Sequence, residues 1–455
     1  QGSIAAETSS RFGRETEGGI KVAGVCWGLF PSLQAGWLVS SEDFFNPVGI
    51  DYLKLRAGID WSGNDNISNN AAFSYFSNVQ YNEKLMGLKL ANIENQAIQW
   101  ETTRRLNFGF DLQANDNRVR ISGDIFHNHT SNLLTLKQLS YLTGLEYYWC
   151  NGGAMNNTGA TLNVTNRLIS TKNWKWETGV SIGTYKNYIT QLPDGTTFKS
   201  AKDGDLYGFT TDIYGATMLS AEGHSAGVFF GYETDGVYAT AADVPTINGE
   251  PISTQDVNTG IKTPFAAGDV KFIDQNGDNV INLQDRVIIG NPNPDIYGNI
   301  TSNLMYKNFS LSATLNYSWG NDVYNYQRSL IESGSSFYNQ TTAMTNRWRT
   351  EGDVTDVPRA TYGDPKGNNR FSDRWIEDGS YIRLKDITLS YKVPVQASWL
   401  QGLTVWCAGT NLLTLTNYLG SDPEFSFSNN VLYQGIDNGL LGQSRSFQLG
   451  VKINL

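Results

Sequence analysis

A short stretch from Asp274 to Asp285 carries the side chains with the most definite chemistry in this sequence. Its acid, amide and carbonyl oxygens recur at positions 1, 3, 5, 7, 9 and 12 of a calcium-binding loop. Ca²⁺ takes its ligands from such oxygen atoms. The sequence therefore predicts a calcium site whose ligands are Asp274, Asn276, Asp278, the backbone carbonyl of Val280, Asn282 and Asp285.

Two departures from the usual loop pattern predict weak binding. Asn279 stands at position 6, where glycine is usual, and Asp285 replaces the bidentate glutamate of position 12. Asparagine tolerates the left-handed backbone geometry of position 6. The shorter acid removes a ligand oxygen, and so an affinity on the order of millimolar is expected. The alternative is an Asp/Asn/Gly turn held by its own side-chain hydrogen bonds.

The other reactive side chains give weaker patterns. His127 and His129 share one face of a predicted strand and could seat a transition metal, but no third ligand is visible. A surface pair near a strand end is the favoured interpretation. Cys26, Cys150 and Cys407 form neither a metal spacing nor a disulfide framework. Free thiols are expected, with a Cys26–Cys150 bridge as the alternative.

No catalytic constellation emerges from the sequence. Nucleophile–base pairs and glycine-rich phosphate loops are not seen, and the acidic residues are scattered, so the protein is predicted not to be an enzyme. Aromatic residues are frequent between the predicted strands, where they could stack on sugars, anchor a protein partner or form loop cores. They are Tyr75, Phe76, Tyr81, Tyr147, Tyr148, Trp149, Phe229, Phe230 and Tyr232.

Composition favours strands and turns over helices. Charged residues make up 17 % of the 455 residues, and the sequence has 46 glycines and 12 % aromatics. No run of about 18 apolar residues exists, so no transmembrane helix is expected. The first residues lack the charged and apolar regions of a signal peptide, and none is expected. A net charge of −10 argues against nucleic acid as a partner.

Apolar and polar residues alternate with period two over about eleven segments of roughly ten residues, which predicts an all-β protein. In one of them Ile296, Ile300 and Leu304 share a face opposite Tyr297, Asn299 and Thr301. Residues 1–30 show no sustained period and are predicted to be a loop segment. The predicted strands are 31–40, 51–61, 105–114, 118–130, 159–170, 174–189, 295–306, 309–319, 381–393, 402–416 and 444–455.

Short and long connections take turns along the chain. The short ones are 41–50, 115–117, 171–173, 307–308 and 394–401, and the long ones are 62–104, 131–158, 190–294, 320–380 and 417–443. Outer-membrane barrels have this arrangement, with short periplasmic turns and long extracellular loops. Lipid offers no hydrogen-bond partners, so only a closed antiparallel sheet satisfies its backbone there. The sequence therefore predicts a transmembrane antiparallel β-barrel in contact with outer-membrane lipid.

Two further patterns support the barrel. Bulky aromatics cluster near the short turns, as in an interfacial girdle; they are Trp174, Trp176, Tyr306, Phe309 and Tyr391. The closing segment places Phe447, Leu449, Val451, Ile453 and Leu455 on one face. It resembles the terminal strand that the outer-membrane assembly machinery reads, although Phe is the more familiar last residue. The alternative is a soluble, secreted, β-rich glycan-binding protein.

Several motifs, in order along the chain, resemble those of SusC/RagA-type TonB-dependent transporters from Bacteroidetes outer membranes. They are SSRFG (9–13), FPSLQAGWLVSSEDFF (30–45), LKLRAGIDWSGN (53–64), IQWETTRRLNFGFDL (98–112), GGAMNNTGATLNV (152–164), EGHSAGVFFGYETDGVY (222–238), GDVKFIDQNGDNVINLQDRVIIGNPNPD (268–295) and the closing strand. The resemblance implies a plugged barrel of about 22 strands. It also implies import of an oligosaccharide or oligopeptide, energised through TonB, with a SusD-like surface lipoprotein as partner.

The sequence shows no plug, no TonB box and only about half of the strands that the resemblance implies. Residues 31–455 are therefore expected to be the C-terminal half of the barrel, with 1–30 as an extracellular loop segment. A plug-bearing N-terminal half is the expected partner, whether the protein is split, cleaved or only partly represented. The resemblance also allows a dimer of the transporter–lipoprotein pair. Segment 190–294 is the expected seat of the lipoprotein.

Overall fold

The computed structural model describes residues 1–82, 85–139, 142, 144–145, 147–395, 399–425, 427–428 and 430–454. Leu455, predicted to extend the apolar face of the last strand, lies outside the described residues, as does the side chain of Tyr81. The chain divides into two compact units. The first comprises Gln1–Asn166 and Tyr185–Gly195, and the second comprises Arg167–Thr184 and Thr196–Leu455.

The first unit is built on an antiparallel sheet whose long strands are neighbours in chain order. These strands are Gly2–Glu7, Val25–Leu38, Ile50–Asn64, Glu101–Ala114, Val119–Ser131 and, up to Asn166, Ala154–Ser170. Shorter strands are Ile20–Val22, Tyr75–Asn82, Leu85–Asn92, Leu134–Gln138 and Tyr147–Asn151, and a 3₁₀ helix covers Val39–Ser41. Phe12, Ile98 and Trp100 belong to the buried cluster of this unit.

The prediction that residues 1–30 form a loop is wrong for part of that segment. Gly2–Glu7 is a strand that pairs with Val25–Leu38, so the sheet's edge is Gly2–Glu7 and the second strand begins earlier than predicted. All residues of Gly2–Glu7 are exposed. The segment reads GSIAAE and has one large apolar side chain, Ile4, so period-two analysis finds no alternation in it.

The second unit contains a second run of antiparallel neighbours. Its long strands are Trp174–Gln191 up to Thr184, Ile296–Tyr306, Phe309–Trp319, Tyr381–Val393, Gly402–Thr416 and Ser446–Asn454. Each pairs with the next in that order. All eleven predicted strands are therefore present, with ends that differ by a few residues.

The register of these strands aligns apolar residues in rows across the sheet. Ile300 lies opposite Leu315, Leu315 opposite Leu384, and Leu384 opposite Leu413. The register shifts between Leu384 and Asp386, where Lys385 forms a bulge. A slip of one residue without such a bulge would turn the apolar set to the other face. The bulge therefore keeps the apolar row continuous.

The long connections of the second unit are folded rather than extended. Residues 196–290, here termed the loop domain, contain a five-stranded sheet of Thr196–Ser200, Gly204–Ile213, Ala216–Ala221, Val228–Gly231 and Val287–Gly290. Small sheets add Thr234–Val237, Thr246–Ile247, Glu250–Pro251, Ser253–Gln255, Lys262–Pro264, Val270–Phe272 and Val280–Ile281. Two buried clusters, one around Phe230 and one around Phe272, form its core.

Segments 320–380 and 417–443 form a smaller sheet. It contains Asp322–Asn325, Ile376–Asp378 and Ile436–Asp437. A short helix covers Tyr326–Ile331, and 3₁₀ turns in these segments cover Thr342–Asn346, Asp373–Trp375 and Val431–Tyr433. In the loop domain, 3₁₀ turns cover Ala241–Asp243 and Leu283–Asp285. Among the described residues, no helix has the length and apolar character needed to cross a membrane.

Candidate ion loop and its surroundings

The candidate ion loop, Asp274–Asp285, belongs to the loop domain. It follows the strand Val270–Phe272 and ends in the 3₁₀ turn Leu283–Asp285. Gly277 and Asn279 both have left-handed backbone geometry, with φ of +74° and +63°. The expectation that Asn279 adopts this geometry at position 6 is thus met by the structure.

The first half of the loop is a series of turns closed by its own acids and amides. Asp274 accepts from the backbone N–H of Gly277 and Asn279, each at 2.7 Å. Asp278 accepts from the N–H of Val280 at 2.8 Å, and Asn276 accepts from the N–H of Asp278 at 3.0 Å. Such side-chain bonds to a backbone two or more residues ahead fix a tight loop.

Asp285 closes the loop from its buried end. Its two carboxylate oxygens accept from the N–H of Gln275 at 3.0 Å and of Asn282 at 2.7 Å. Burial raises the pKa of Asp285 to about 6, against the lowering effect of these two bonds, and the charges of Asp274 and Asp278 raise it further. The three carboxylates thus repel one another, and a bound cation would offset that repulsion.

The six predicted ligands therefore lie together in one loop, but their oxygens already have partners within it. Asn282 accepts from the N–H of Gln284 at 2.8 Å, and its amide nitrogen lies 3.4 Å from the carbonyl oxygen of Val280. In the described part of the chain, no group of three or more His, Cys, Asp or Glu side chains is arranged to hold a metal ion. The hydrogen-bonded turn accounts for the loop as observed, and calcium stays a prediction.

The substitution Asp278→Asn separates the two accounts. An amide oxygen can still accept from the N–H of Val280, so a hydrogen-bonded turn should keep its order. A calcium loop loses a charged ligand, so calcium should bind more weakly, with a dissociation constant well above about 1 mM. We expect hydrogen exchange across 274–285 to rise in this variant and in wild-type protein treated with chelator. If neither change affects exchange, while Asp274→Ala does, the loop has no need of an ion.

A buried carboxylate next to this loop was not recognised from the sequence. Asp269 has no exposed surface and accepts from Arg359 at 2.9 and 3.1 Å, from Lys366 at 2.9 Å and from Asn368 at 3.1 Å. It also accepts from the N–H of Ala266 at 2.8 Å. These bonds join the loop domain to segment 320–380. The partners lie about 90 to 99 residues away in sequence, and no local pattern points to them.

The other candidate side chains have structural partners. The Nδ1 atoms of His127 and His129 lie 2.7 Å from Thr158 Oγ1 and Asn156 Oδ1 of the neighbouring strand. This is the surface pair near a strand end that we favoured. All three cysteines are free thiols, as expected. Among the aromatics, Phe229 and Phe230 are buried in cores, whereas Phe76 is exposed.

No protein-family model matches the chain. It is similar to TonB-dependent receptor P3 of Formosa agariphila, with 30 % identity over 440 residues, which are 94 % of this chain and 42 % of the relative. It is 30 % identical over 436 residues to TonB-dependent receptor P26 of the same organism, covering 93 % and 42 %. With TonB-dependent receptor SusC of Bacteroides thetaiotaomicron it shares 26 % over 464 residues, covering 98 % and 41 %. The chain spans less than half the length of these relatives.

Solved structures show the same fold. The RagAB peptide importer in its open-open state matches with a TM-score of 0.75 and 21 % identity, over 100 % of this chain and 45 % of that chain. The closed-closed state matches with a TM-score of 0.78 and 21 % identity, over 99 % and 45 %. This likeness confirms the predicted all-β, antiparallel barrel fold, of which the chain supplies a part.

Proposed function

We propose, since this chain belongs to the SusC/RagA-type TonB-dependent receptors, that it is the C-terminal half of the wall and outer mouth of a nutrient importer. The importer lies in the outer membrane of a Gram-negative bacterium, and its many strands cross that membrane. It takes up an oligosaccharide or oligopeptide and is energised by TonB through a plug-bearing N-terminal half. The chain itself performs no catalysis.

The observation that carries this proposal is the exposed apolar face of the long strands. Phe108 and Ile125 lie opposite each other in the first unit and are 62 % and 63 % exposed. At the short-turn end of the second unit, the ring of Trp174 lies 4.2 Å from that of Tyr306, and Phe309 lies 4.5 Å from Tyr391. A soluble sheet would bury such a face, whereas lipid and its interface accommodate it.

The opposite face of the strands is polar and suits a water-filled interior. On it, Arg56 pairs with Asp111 at 2.9 Å and with Asp124 at 2.8 Å across three strands. Apolar-out and polar-in alternation is the pattern of barrel strands that separate lipid from an aqueous lumen. These charges would be costly on the lipid side, and so they support the assignment of the two faces.

The loop domain supports the proposed lipoprotein partner. Its two buried clusters and its bonds to segment 320–380 make it a folded body rather than a flexible connector. A SusD-like lipoprotein would rest on this body at the cell surface, and the transporter–lipoprotein pair would be able to dimerise. Both parts of this assembly are proposals.

The orientation can be tested with single cysteines in a Cys407→Ser background, because the other two thiols are buried. Asn258→Cys places a thiol in an exposed turn of the loop domain, and Lys172→Cys places one in a short turn. A membrane-impermeant maleimide should label the Asn258→Cys variant in intact cells. The Lys172→Cys variant should react only after the outer membrane is permeabilised. The reverse pattern would show an inverted topology, and recovery of the protein without detergent would favour the secreted glycan-binding alternative.

A further inference from the structure

Arg104 interrupts the apolar face of the long strands in the first unit. It lies four residues before Phe108 on one strand, so its side chain points to the same face as Phe108 and Ile125. Leu106, between Arg104 and Phe108, is the last apolar residue of this face toward the start of the strand. The guanidinium of Arg104 is exposed and has no ion-pair or hydrogen-bond partner among the described residues. A free cation therefore lies at the boundary of the apolar surface.

A second free cation, Lys186, lies on the same face three strands away. It precedes Tyr188 by two residues, and the hydroxyl of Tyr188 accepts from Asn156 at 3.1 Å. Asn156 lies opposite His129, and His129 lies opposite Arg104. The four strands are neighbours, so the two cations are about 14 Å apart across the sheet, at about 4.8 Å per strand. Lys186 is also exposed and has no partner in the part of the chain that the structure describes.

Within the described residues, no acid balances these cations on their own face. In the long strands, the face that carries the apolar rows holds two charged side chains, Arg104 and Lys186. On the opposite face, Arg56 is paired with two acids, and Arg105 is paired with Asp60. An unpaired charge on a lipid-facing strand is costly except near the membrane interface. The two cations are therefore suited to an anion that the surroundings supply.

The two cations lie toward the strand ends that lead to the long connections. Arg104 is three residues from Glu101, the first residue of its strand, and His129 is two residues from Ser131, the last residue of the next strand. In the proposed orientation these ends face outward, so the row lies at the level of the outer-leaflet headgroups. Lys186 lies about 7 Å deeper, a distance that its long side chain can span toward the interface.

Polar side chains fill the space between the two cations. The Nδ1 atoms of His127 and His129 are held by Thr158 and Asn156, each at 2.7 Å. This leaves the Nε2 atom of each ring without a partner among the described residues. The hydroxyl of Tyr188 accepts from Asn156 and so retains its own proton to donate to a ligand. The surface between the cations thus offers polar groups and no acid.

This arrangement fits the phosphate of a lipid better than a soluble anion. Arginine binds phosphate through two parallel N–H bonds, and lysine adds a second positive charge. Phe108 and Ile125, 62 % and 63 % exposed, continue the same face toward the middle of the strands. Acyl chains would cover these side chains, whereas a soluble phosphate would leave them bare. Basic clusters next to a membrane-spanning surface are a common form of anionic headgroup site.

We propose that Arg104 and Lys186, with the polar side chains between them, bind the phosphate of a phosphorylated lipid in the outer leaflet. This inference goes beyond nutrient import, because it assigns a lipid site to the outer wall of the protein. It rests on the proposed function in one respect, since the strand ends at Glu101 and Ser131 must face outward. A bound lipid at this level would fix the depth of these strands in the membrane.

The test is the binding of fluorescently labelled monophosphoryl lipid A to the complex purified from outer membranes in a non-ionic detergent. We expect saturable binding to wild type. Arg104→Gln and Lys186→Gln should each weaken it about fivefold, the effect of one cation near an anionic lipid. The double variant should lose more than tenfold. Arg104→Lys keeps the charge but not the two parallel N–H bonds, and so it should retain binding between wild type and Arg104→Gln.

Arg105→Gln is the matched control. Arg105 is the next residue in sequence, but its side chain points to the opposite face and pairs with Asp60 at 3.4 Å. Its replacement should leave lipid binding unchanged. Two competitors identify the source of the phosphate. Neither inorganic phosphate in large excess nor phosphatidylcholine should displace the labelled lipid, because the first lacks acyl chains and the second has no net negative charge.

The inference is overturned if lipid A does not bind saturably, or if the double variant binds as well as wild type. It also fails if Arg105→Gln weakens binding as much as Arg104→Gln, or if either competitor displaces the lipid. Labelling of Asn258→Cys in intact cells reports assembly of each variant, and Lys186→Gln tests the site if Arg104→Gln does not assemble. Loss of lipid binding with this labelling intact removes the lipid site alone. Labelling only after permeabilisation would overturn the proposed orientation and the site with it.

Discussion

Replacing Asp269 by alanine is expected to unfold part of the loop domain while the long strands stay intact. The substitution leaves Arg359 and Lys366 without the buried carboxylate that both now contact at 2.9 Å. Removing one member of a buried ion pair typically costs about 3–5 kcal/mol, because the remaining charge is desolvated and unpaired. The hydrogen bond from Asn368 and the closure of the backbone at Ala266 are lost as well. A loop domain of this size cannot absorb that loss without local opening.

Hydrogen exchange resolved by peptide would measure the effect. Protection should fall across 264–281 and 359–370 and remain across Phe309–Trp319. Asp205→Ala is the control, because this carboxylate is exposed on a strand of the same domain. Adding Arg359→Met to Asp269→Ala should restore part of the protection, since it removes one of the cations left without a carboxylate partner. Equal protection in Asp269→Ala and wild type would show that the network contributes nothing to the order of this region.

The second prediction with a large expected effect concerns the two edge strands, Gly2–Glu7 and Ser446–Asn454. Residues 1–455 expressed alone are expected to give no folded, monodisperse species in detergent. Within the described part of the chain, Ser446–Asn454 has a strand neighbour on one side only, and the same holds for Gly2–Glu7. Roughly half of the backbone groups of an edge strand point away from its neighbour. In lipid each unpaired group costs several kcal/mol, so we expect both edges to pair with strands of the proposed N-terminal half.

Crosslinking can locate that partner in native outer membranes. In a Cys407→Ser background, Gln448→Cys on the edge strand should form a crosslink to the plug-bearing half of the barrel. Thr314→Cys should not, because its strand has neighbours from this chain on both sides. The prediction fails if 1–455 purifies alone as a folded monomer, or if the two cysteines crosslink equally.

The strands of the barrel wall could be predicted from the sequence alone because the pattern that identifies each strand lies within that strand. A strand between lipid and water must alternate, so Ile296–Tyr306 and Phe309–Trp319 show their faces in their own sequence. The alternation of short and long connections added the topology. Gly2–Glu7 was missed because its sequence, GSIAAE, has one large apolar side chain and therefore shows no alternation.

The candidate ion loop was also predictable from local sequence, since its acids and amides bond to other residues of the same twelve-residue segment. Whether these bonds leave room for an ion is a question of geometry that spacing does not answer. The aromatics between strands show the same limit. Phe229 and Phe230 turned out to be core, and Phe337 and Tyr362 turned out to be exposed, although all four are aromatic residues in predicted loops.

Only the tertiary structure could decide which distant residues meet. Asp269 finds Arg359 and Asn368 across about 90 to 99 residues, and Phe337 finds Tyr362 across a chain reversal. Such contacts depend on how the long connections fold, and these segments have neither the lipid nor the strand period to impose a pattern on their residues. The physical reason is that burial in a loop domain is set by packing among non-neighbours, whereas the alternation of a membrane strand is set by the two media on its sides.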